Sequence, residues 1–178
     1  ALSDAMIDGL RSSGVRVVSL GLITTPISYF SVFSIPNAAG AIMITGSHNP
    51  PEYNGFKISL GKSTIFGEEI KKLYEIYSHG DFRSGQGSVD KYDIFPEYVA
   101  RYQKEFDFSK FSLPVVVDCG NGAAGCILRR LYEGVGLRPT ILFEQPDGRF
   151  PNHHPDPTVE KNLKWLKDAV LTNRAAIG

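Results

Sequence analysis

Short apolar segments rich in β-branched residues alternate with helix-periodic segments along this chain. The first kind predicts strands at residues 15–20, 40–44, 56–60, 113–118 and 138–143. The second kind predicts helices in the opening segment up to Gly14, in a short segment from Pro26, and over residues 67–79, 95–106, 124–135 and 158–171, with Thr25 and Thr158 as N-caps. Strands that alternate with helices pair mostly in parallel, through right-handed crossovers. The predicted fold class is therefore α/β, in three-layer units with mixed, mostly parallel sheets.

The apolar periodicity stops over residues 81–88, where Gly, Ser, Asp and Arg replace it. This change predicts a domain boundary near residue 90, with one α/β unit at residues 1–90 and a second at residues 91–178. No strand precedes the opening helix, and residues 175–178 are typical of a strand that has only begun. We therefore expect both units to be incomplete and the chain to be an internal piece of a longer protein.

The composition bears mainly on location and partners. Nineteen Lys and Arg residues balance nineteen Asp and Glu residues, and no basic block is interleaved with aromatics, so neither nucleic acid nor a membrane surface is an expected partner. The apolar stretches are too short for a membrane span, and the first residues lack a signal-peptide pattern. Cys119 and Cys126 are too few for a disulfide framework. We expect a reduced, cytoplasmic setting.

The segment from Thr45 to Lys57 carries the candidate chemistry. It leaves a predicted strand at its carboxyl end, which is where α/β sheets bind ligands. It contains a hydroxyl (Ser47), an imidazole (His48), an amide (Asn49) and the Lys57 ammonium group. A serine is a weak nucleophile unless a base, a metal or a cation activates it, and His48 and Lys57 are the candidates. The alternative is a structural Ser-His-Asn-Pro turn whose side chains cap the backbone.

Two further motifs have both a functional and a structural interpretation. Residues 118–125 form a Gly-rich strand-to-helix turn that suits a phosphate cradle, but the turn lacks the G-x-G-x-x-G spacing and a P-loop lysine. We predict a structural role for it. His153, His154 and Asp156 suggest metal ligands, but they lie in a Pro-rich loop without helical or hairpin ligand spacing. We predict that they fix this loop or contact another domain.

Three segments resemble motifs of the α-D-phosphohexomutase superfamily, most closely its phosphomannomutase/phosphoglucomutase branch. Residues 45–57, T-G-S-H-N-P-P-E-Y-N-G-F-K, resemble the phosphoserine loop of that family. Residues 118–125, D-C-G-N-G-A-A-G, and residues 150–157, F-P-N-H-H-P-D-P, resemble motifs of its second domain. The resemblance implies domain 1 at residues 1–90 and domain 2 at residues 91–178, with domains 3 and 4 elsewhere in the full-length chain.

The resemblance also implies an activity and its residues. Ser47, held as phosphoserine, exchanges its phosphoryl group with a hexose 1- or 6-phosphate (mannose and/or glucose) through a bisphosphorylated sugar. Lys57 acts as general acid/base or phosphate cation, His48 orients or assists, and Asn49 and Lys57 contact the substrate. Mg²⁺ takes a phosphoserine oxygen of Ser47 as one ligand, with the others beyond residue 178, and glucose 1,6-bisphosphate or an equivalent activates. The chain by itself is expected not to turn over substrate.

Two other functions stay open beside the mutase. The same loop suits a module that binds a phosphosugar or phosphate without catalysis. A Ser-His hydrolase is disfavoured, because neither a G-x-S-x-G elbow nor an acid partner accompanies Ser47.

Overall fold

The computed structural model describes residues 1–47, 49 and 52–178. The chain divides into two compact units: residues 1–21, 25–47 and 53–94 belong to the first, and residues 22–24, 49, 52 and 95–178 to the second. Both units combine helices with sheets, so the α/β class predicted from the sequence is confirmed. Two of the sheets are parallel, and the three-stranded sheet of the first unit is antiparallel. Within the described residues, no helix combines the length and the apolar character that a membrane span requires.

The first unit contains three helices and five strands. The helices are α1 (Leu2–Ser12), α2 (Thr25–Ser34) and α3 (Glu68–His79). The strands are β1 (Val17–Ser19), β2 (Gly40–Thr45), β3 (Gly55–Leu60), β4 (Ser63–Thr64) and β5 (Val89–Lys91). Strand β1 pairs in parallel with β5, whereas β2, β3 and β4 form an antiparallel sheet with β3 at its centre.

Helix α2 supplies much of the core of the first unit. Pro26 lies in its first turn, where the missing N–H group of proline removes no helical hydrogen bond. Thr25, predicted as the cap, is the first helical residue. The face with Ile27 and Val32 is buried, and Ile27 is 0% exposed. Because α2 packs against β2, this burial fixes the strand that leads to the candidate site.

Strands β2 and β3 pair over their whole length, from Gly40 opposite Leu60 to Thr45 opposite Gly55. Residues directly opposite each other in an antiparallel pair point to the same face, and each strand alternates between faces. Lys57, which lies opposite Met43, is therefore on the same face as Thr45. The segment between the two strands joins an antiparallel pair, so it is a hairpin connection.

The second unit contains helices α4 (Phe95–Glu105), α5 (Leu128–Gly134) and α6 (Lys164–Thr172). Its strands β6 (Val116–Asp118) and β7 (Thr140–Leu142) run in parallel, and Val115 forms a parallel bridge with Ile177. Helix α4 packs on α5, and α6 packs on β6. The core of this unit includes these buried side chains: Ile23, Tyr98, Val116, Cys119 and Ile127.

Two predicted helices are interrupted near their start. The helix predicted over residues 124–135 is a 3₁₀ turn at Ala123–Cys126 followed by α5, and the helix predicted over residues 158–171 is a 3₁₀ turn at Glu160–Leu163 followed by α6. The prediction of Thr158 as an N-cap is wrong. Its backbone N–H and its hydroxyl both donate to Oδ1 of Asp156, at 2.9 and 2.7 Å, so it belongs to the preceding turn.

The turn that follows β6 packs tightly against the segment after β7. A Cβ atom on Gly125 would lie within 2 Å of the backbone oxygen of Glu144, so the two backbones would have to separate. We expect Gly125→Ala to lower the free energy of unfolding by about 1–3 kcal/mol. Gly148→Ala is the matched control, because a Cβ there meets nothing within 4 Å. Urea denaturation of both variants checks this, and equal stabilities would contradict the close packing.

Candidate active site

Ser47 lies two residues beyond the end of β2. Its φ of 53° is left-handed, a conformation that costs a non-glycine residue about 1–2 kcal/mol. Its backbone N–H donates to Oγ1 of Thr45 at 3.1 Å. The side chain of Ser47 is exposed, so the hydroxyl is accessible to a ligand. Strained backbone of this kind is concentrated at functional sites, where the surroundings hold it in place.

Two glycines allow the hairpin to close tightly beside Ser47. A Cβ atom on Gly46 would lie 2.7 Å from the backbone oxygen of Tyr53, and one on Gly55 would lie 3.2 Å from that of Thr45. Real Cβ atoms do not approach a backbone oxygen to 2.7 Å, so the backbone at Gly46 lies too close for a larger residue without rearrangement. Because neither residue has a side chain, the two ends of the connection between β2 and β3 can approach each other this closely.

Lys57 is exposed and lies on the same face of the β2–β3 pair as Thr45. Diagonal neighbours of this kind have Cα atoms roughly 7–8 Å apart, a span that a lysine side chain covers. In the part of the chain that the structure describes, neither a hydrogen bond nor an ion pair holds the Lys57 ammonium group. Its positive charge is therefore available to an anion near the end of β2.

Of the other two predicted site residues, Asn49 is described by the structure and His48 is not. Asn49 is an exposed bend residue, and its predicted contact with substrate stays a prediction. His48 lies outside the described residues, so its orienting role stays a prediction as well. The structure thus places Ser47 and Lys57 on one hairpin.

The Gly-rich turn after β6 directs its amides to its own chain. Four N–H groups are engaged within the second unit: Gly120 donates to Oδ1 of Asp118, Asn121 to the oxygen of Phe143, Gly122 to that of Cys119 and Gly125 to that of Gly122. A phosphate cradle needs amides that point at the ligand. Because these four are already paired, the geometry favours the structural role.

His153 and Asp118 form a buried pair in the same region. Nε2 of His153 lies 2.9 Å from Oδ2 of Asp118, and the two side chains are only 13% and 8% exposed. Nδ1 of His153 lies 2.9 Å from the backbone oxygen of His154. Since a carbonyl oxygen only accepts, Nδ1 carries a proton. In this way the ring ties the loop to the end of β6, which agrees with a loop-fixing role.

Asn121 is the residue in this region that sequence reasoning missed. It is buried, with a left-handed φ of 56°. Its Nδ2 donates to the oxygen of Gln145, its Oδ1 accepts from Asn152, and its backbone oxygen accepts from Asp147, at 2.8, 2.8 and 2.9 Å. An asparagine that follows a glycine at a strand end, where a left-handed backbone is favoured, was the available signal.

The metal interpretation of His153, His154 and Asp156 gains no support from the geometry. Oδ1 of Asp156 accepts from Thr158, and the His153 ring is engaged on both sides. Throughout residues 1–47, 49 and 52–178, no group of three or more His, Cys, Asp and Glu side chains is arranged to hold a metal ion.

Both thiols of the second unit are shielded. Burial raises the pKa of Cys119 to about 11, with the negative charges of Glu144 and Asp118 adding to the effect, and burial also raises the pKa of Cys126. The thiolate is the reactive form, so we expect both cysteines to react slowly with a disulfide reagent at pH 8 and quickly after unfolding. Rapid native-state labelling of Cys119 would contradict its burial.

Two family profiles match most of the chain. "Phosphoglucomutase/phosphomannomutase, alpha/beta/alpha domain I" matches residues 1–84, and domain II of the same family matches residues 96–178. A phosphomannomutase/phosphoglucomutase from Pseudomonas aeruginosa is 42% identical over 173 residues, which are 97% of this chain and 37% of the relative. A phosphoglucomutase from Neisseria meningitidis is 41% identical over 172 residues, or 96% of this chain and 37% of the relative.

A solved structure gives the same result for the fold. The crystal structure of a phosphoglucomutase/phosphomannomutase family protein from Burkholderia thailandensis superposes with a TM-score of 0.91 at 40% identity, over 98% of this chain and 39% of that one. The chain thus spans well under half the length of the relatives it matches. It belongs to the phosphoglucomutase/phosphomannomutase family and carries that family's alpha/beta/alpha domains I and II.

Proposed function

We propose that the protein containing this chain is a phosphohexomutase that moves a phosphoryl group reversibly between the 1- and 6-positions of a hexose phosphate, mannose and/or glucose, through Ser47. Membership of the family supports this reaction class. The observation that carries the assignment to Ser47 is its exposed, left-handed position at the end of β2, where its amide is tied to Thr45. Hexose phosphates are the proposed small-molecule partners, and the third and fourth domains complete the enzyme.

The reaction conserves phosphate in two half-reactions. A hydroxyl oxygen of the hexose monophosphate attacks the phosphorus of phosphorylated Ser47, a new P–O bond forms, and the bond to Oγ of Ser47 breaks. The sugar hydroxyl loses its proton to a base and Oγ gains one, leaving free serine and a bisphosphorylated sugar. The sugar then reorients, and the reverse transfer of its other phosphate restores phosphoserine and releases the isomeric monophosphate.

This chemistry depends more on position and charge than on covalent catalysis by the protein. A phosphoserine carries roughly −1.5 to −2 charges at neutral pH. The ammonium group of Lys57 has no partner among the described residues and lies on the face of the hairpin that carries Thr45, so it is the cation that we assign to this charge. We assign Lys57 to phosphate binding or proton transfer, Asn49 to substrate contact and His48 to orientation.

We further propose Mg²⁺ as the metal and glucose 1,6-bisphosphate, or an equivalent bisphosphosugar, as the activator. The ion neutralises charge on the transferring group when it is bound. The described residues bring no set of three metal-ligating side chains together. The ligand that we propose from this part of the chain is an oxygen of the phosphate on Ser47. The activator would rephosphorylate Ser47 whenever the enzyme has lost its phosphate.

Lys57→Met in the full-length protein is expected to lower kcat by about 10²-fold, the lower end of the range for a proton-transfer group. The change keeps the length and the apolar stem of the side chain, so the fold should persist. Lys72→Met, at an exposed lysine on α3, is the matched control. Steady-state kinetics on both variants checks this, and an unchanged kcat for Lys57→Met would remove Lys57 from the catalytic set.

The function itself is tested by assaying the full-length protein for interconversion of hexose 1- and 6-phosphates, with and without the bisphosphosugar. The proposal predicts turnover that depends on the bisphosphosugar and on Mg²⁺, and no turnover by the 178-residue chain alone. Saturable binding of a hexose phosphate by the full-length protein without turnover would instead identify a non-catalytic binding module.

A further inference from the structure

The Thr45 side chain is placed to act on Ser47. Thr45 is the last residue of β2, where it is half-buried and paired with Gly55. Its Oγ1 accepts the backbone N–H of Ser47 at 3.1 Å. No other hydrogen bond to that N–H occurs among the described residues. Strand β2 packs against helix α2. The Thr45 side chain therefore links a packed strand to the backbone at the start of the loop by a hydrogen bond.

This bond has a structural consequence for Ser47. A left-handed residue other than glycine is unfavourable and persists only where its surroundings hold it. The Thr45 hydroxyl restrains the peptide plane that leads into Ser47, and with it the position of the Ser47 N and Cα atoms relative to β2. Without this bond the peptide plane before Ser47 is free to rotate, which would displace the Cα atom of Ser47 and with it Oγ.

The hydroxyl of Thr45 also has a proton left to donate. A threonine hydroxyl accepts and donates at the same time, and no acceptor takes this proton among the described residues. A group attached to Oγ of Ser47, two residues further along the chain, is a nearby acceptor, because the Ser47 amide already lies 3.1 Å from Oγ1 of Thr45. A phosphoryl group with three oxygens is a strong one.

We propose that Thr45 is a positioning residue for the phosphoryl group carried by Ser47: it accepts the Ser47 amide and donates its own hydroxyl proton to that phosphoryl group. The proposal rests on the proposed phosphotransfer through Ser47. Thr45 orients the phosphoryl group, and other residues contact the sugar. Its loss should therefore affect kcat rather than KM.

The test compares Thr45→Val with Thr45→Ser in the full-length protein. Valine keeps the shape and the β-branch but removes the hydroxyl, and we expect kcat to fall about tenfold with KM within about twofold, because one hydrogen bond to a charged group is lost. Serine retains the hydroxyl and should recover most of kcat. Thr64→Val, which removes another hydroxyl on the same sheet face, is the control and should leave kcat unchanged.

A second readout separates positioning from a general structural effect. The ³¹P signal of phosphorylated Ser47 should titrate at a higher midpoint in Thr45→Val, because loss of a donor to the dianion favours its protonated form. Wild-type kcat in a phosphorylated Thr45→Val, or a fall of the same size in Thr45→Ser, would overturn the role of Thr45. An unphosphorylated Ser47 in the wild-type protein would instead count against the proposed function.

Discussion

Ser47→Ala in the full-length protein is expected to lower turnover by at least about 10³-fold, since it removes the atom that carries the phosphoryl group between half-reactions. Alanine deletes only Oγ, and Ser47 is exposed, so packing is unaffected. The bond from the Ser47 backbone amide to Thr45 is retained. We therefore expect a folded protein that still binds hexose monophosphates, with affinity measured by calorimetry similar to that of the wild type.

The matched control is Ser63→Ala, at an exposed serine on β4 of the same sheet. It should keep wild-type kinetics. Steady-state assays in both directions, from the 1-phosphate and from the 6-phosphate, should show the same loss for Ser47→Ala because both directions pass through phosphoserine. Retention of more than a few per cent of turnover in either direction would show that phosphate travels by another route.

His153→Ala is expected to lower the free energy of unfolding of the second unit by about 3–5 kcal/mol. The reason is the buried carboxylate of Asp118, which is 8% exposed and would lose its partner at 2.9 Å. The edge contact between the rings of His153 and Phe143, with centroids 5.5 Å apart, would be lost as well. Urea denaturation gives the total effect, and hydrogen exchange at the amides of Gly120 and Asn121 localises it.

His154→Ala provides the control for His153→Ala. His154 is exposed, and its part in the network is its backbone oxygen, which alanine keeps. Its effect should stay within about 0.5 kcal/mol. The double variant Asp118→Asn with His153→Ala should lose less than the sum of the two single changes, because each removes the same pair. Additive losses, or an effect of His153→Ala no larger than that of His154→Ala, would contradict a stabilising pair.

The regular elements were the predictable part of the fold. The strand predicted at residues 56–60 is β3, and the helices predicted over residues 67–79 and 95–106 are α3 and α4 with ends that differ by one residue. Local signals mark these elements: a left-handed Gly80 closes α3, and acidic residues occupy its first turn. Strand β5 was missed because its three residues are exposed and its pairing with β1 depends on a distant partner.

The hydrogen bonds that hold the loops of the second unit could not be predicted from local sequence patterns. His153 reaches Asp118 across 35 residues of sequence, and Asn152 reaches Asn121 across 31. Such pairs follow from the way β6 and β7 align, which periodicity does not reveal. The break before α6 has a local cause, because the turn in which Thr158 donates to Asp156 competes with the helix.

Part of the candidate site could also be predicted from the sequence, and part required the structure. The residue types of the Thr45–Lys57 segment and its resemblance to a phosphoserine loop were visible in the sequence. The shared face of Lys57 and Thr45 required the β2–β3 register, since a shift of one residue would have placed Lys57 on the opposite face. The hydrogen bond between Thr45 and Ser47 depends on the path of the backbone through Gly46, which residue types alone do not reveal.

The mass of the purified full-length protein is the most direct test of Ser47 as the phosphate carrier. After incubation with glucose 1,6-bisphosphate, we expect a mass increase of one phosphate, located by fragmentation on the peptide that contains Ser47 and missing from Ser47→Ala. Brief exposure to excess hexose monophosphate should lower that phosphorylated fraction as phosphate passes to the sugar. An active enzyme that never carries phosphate on Ser47 would contradict the account.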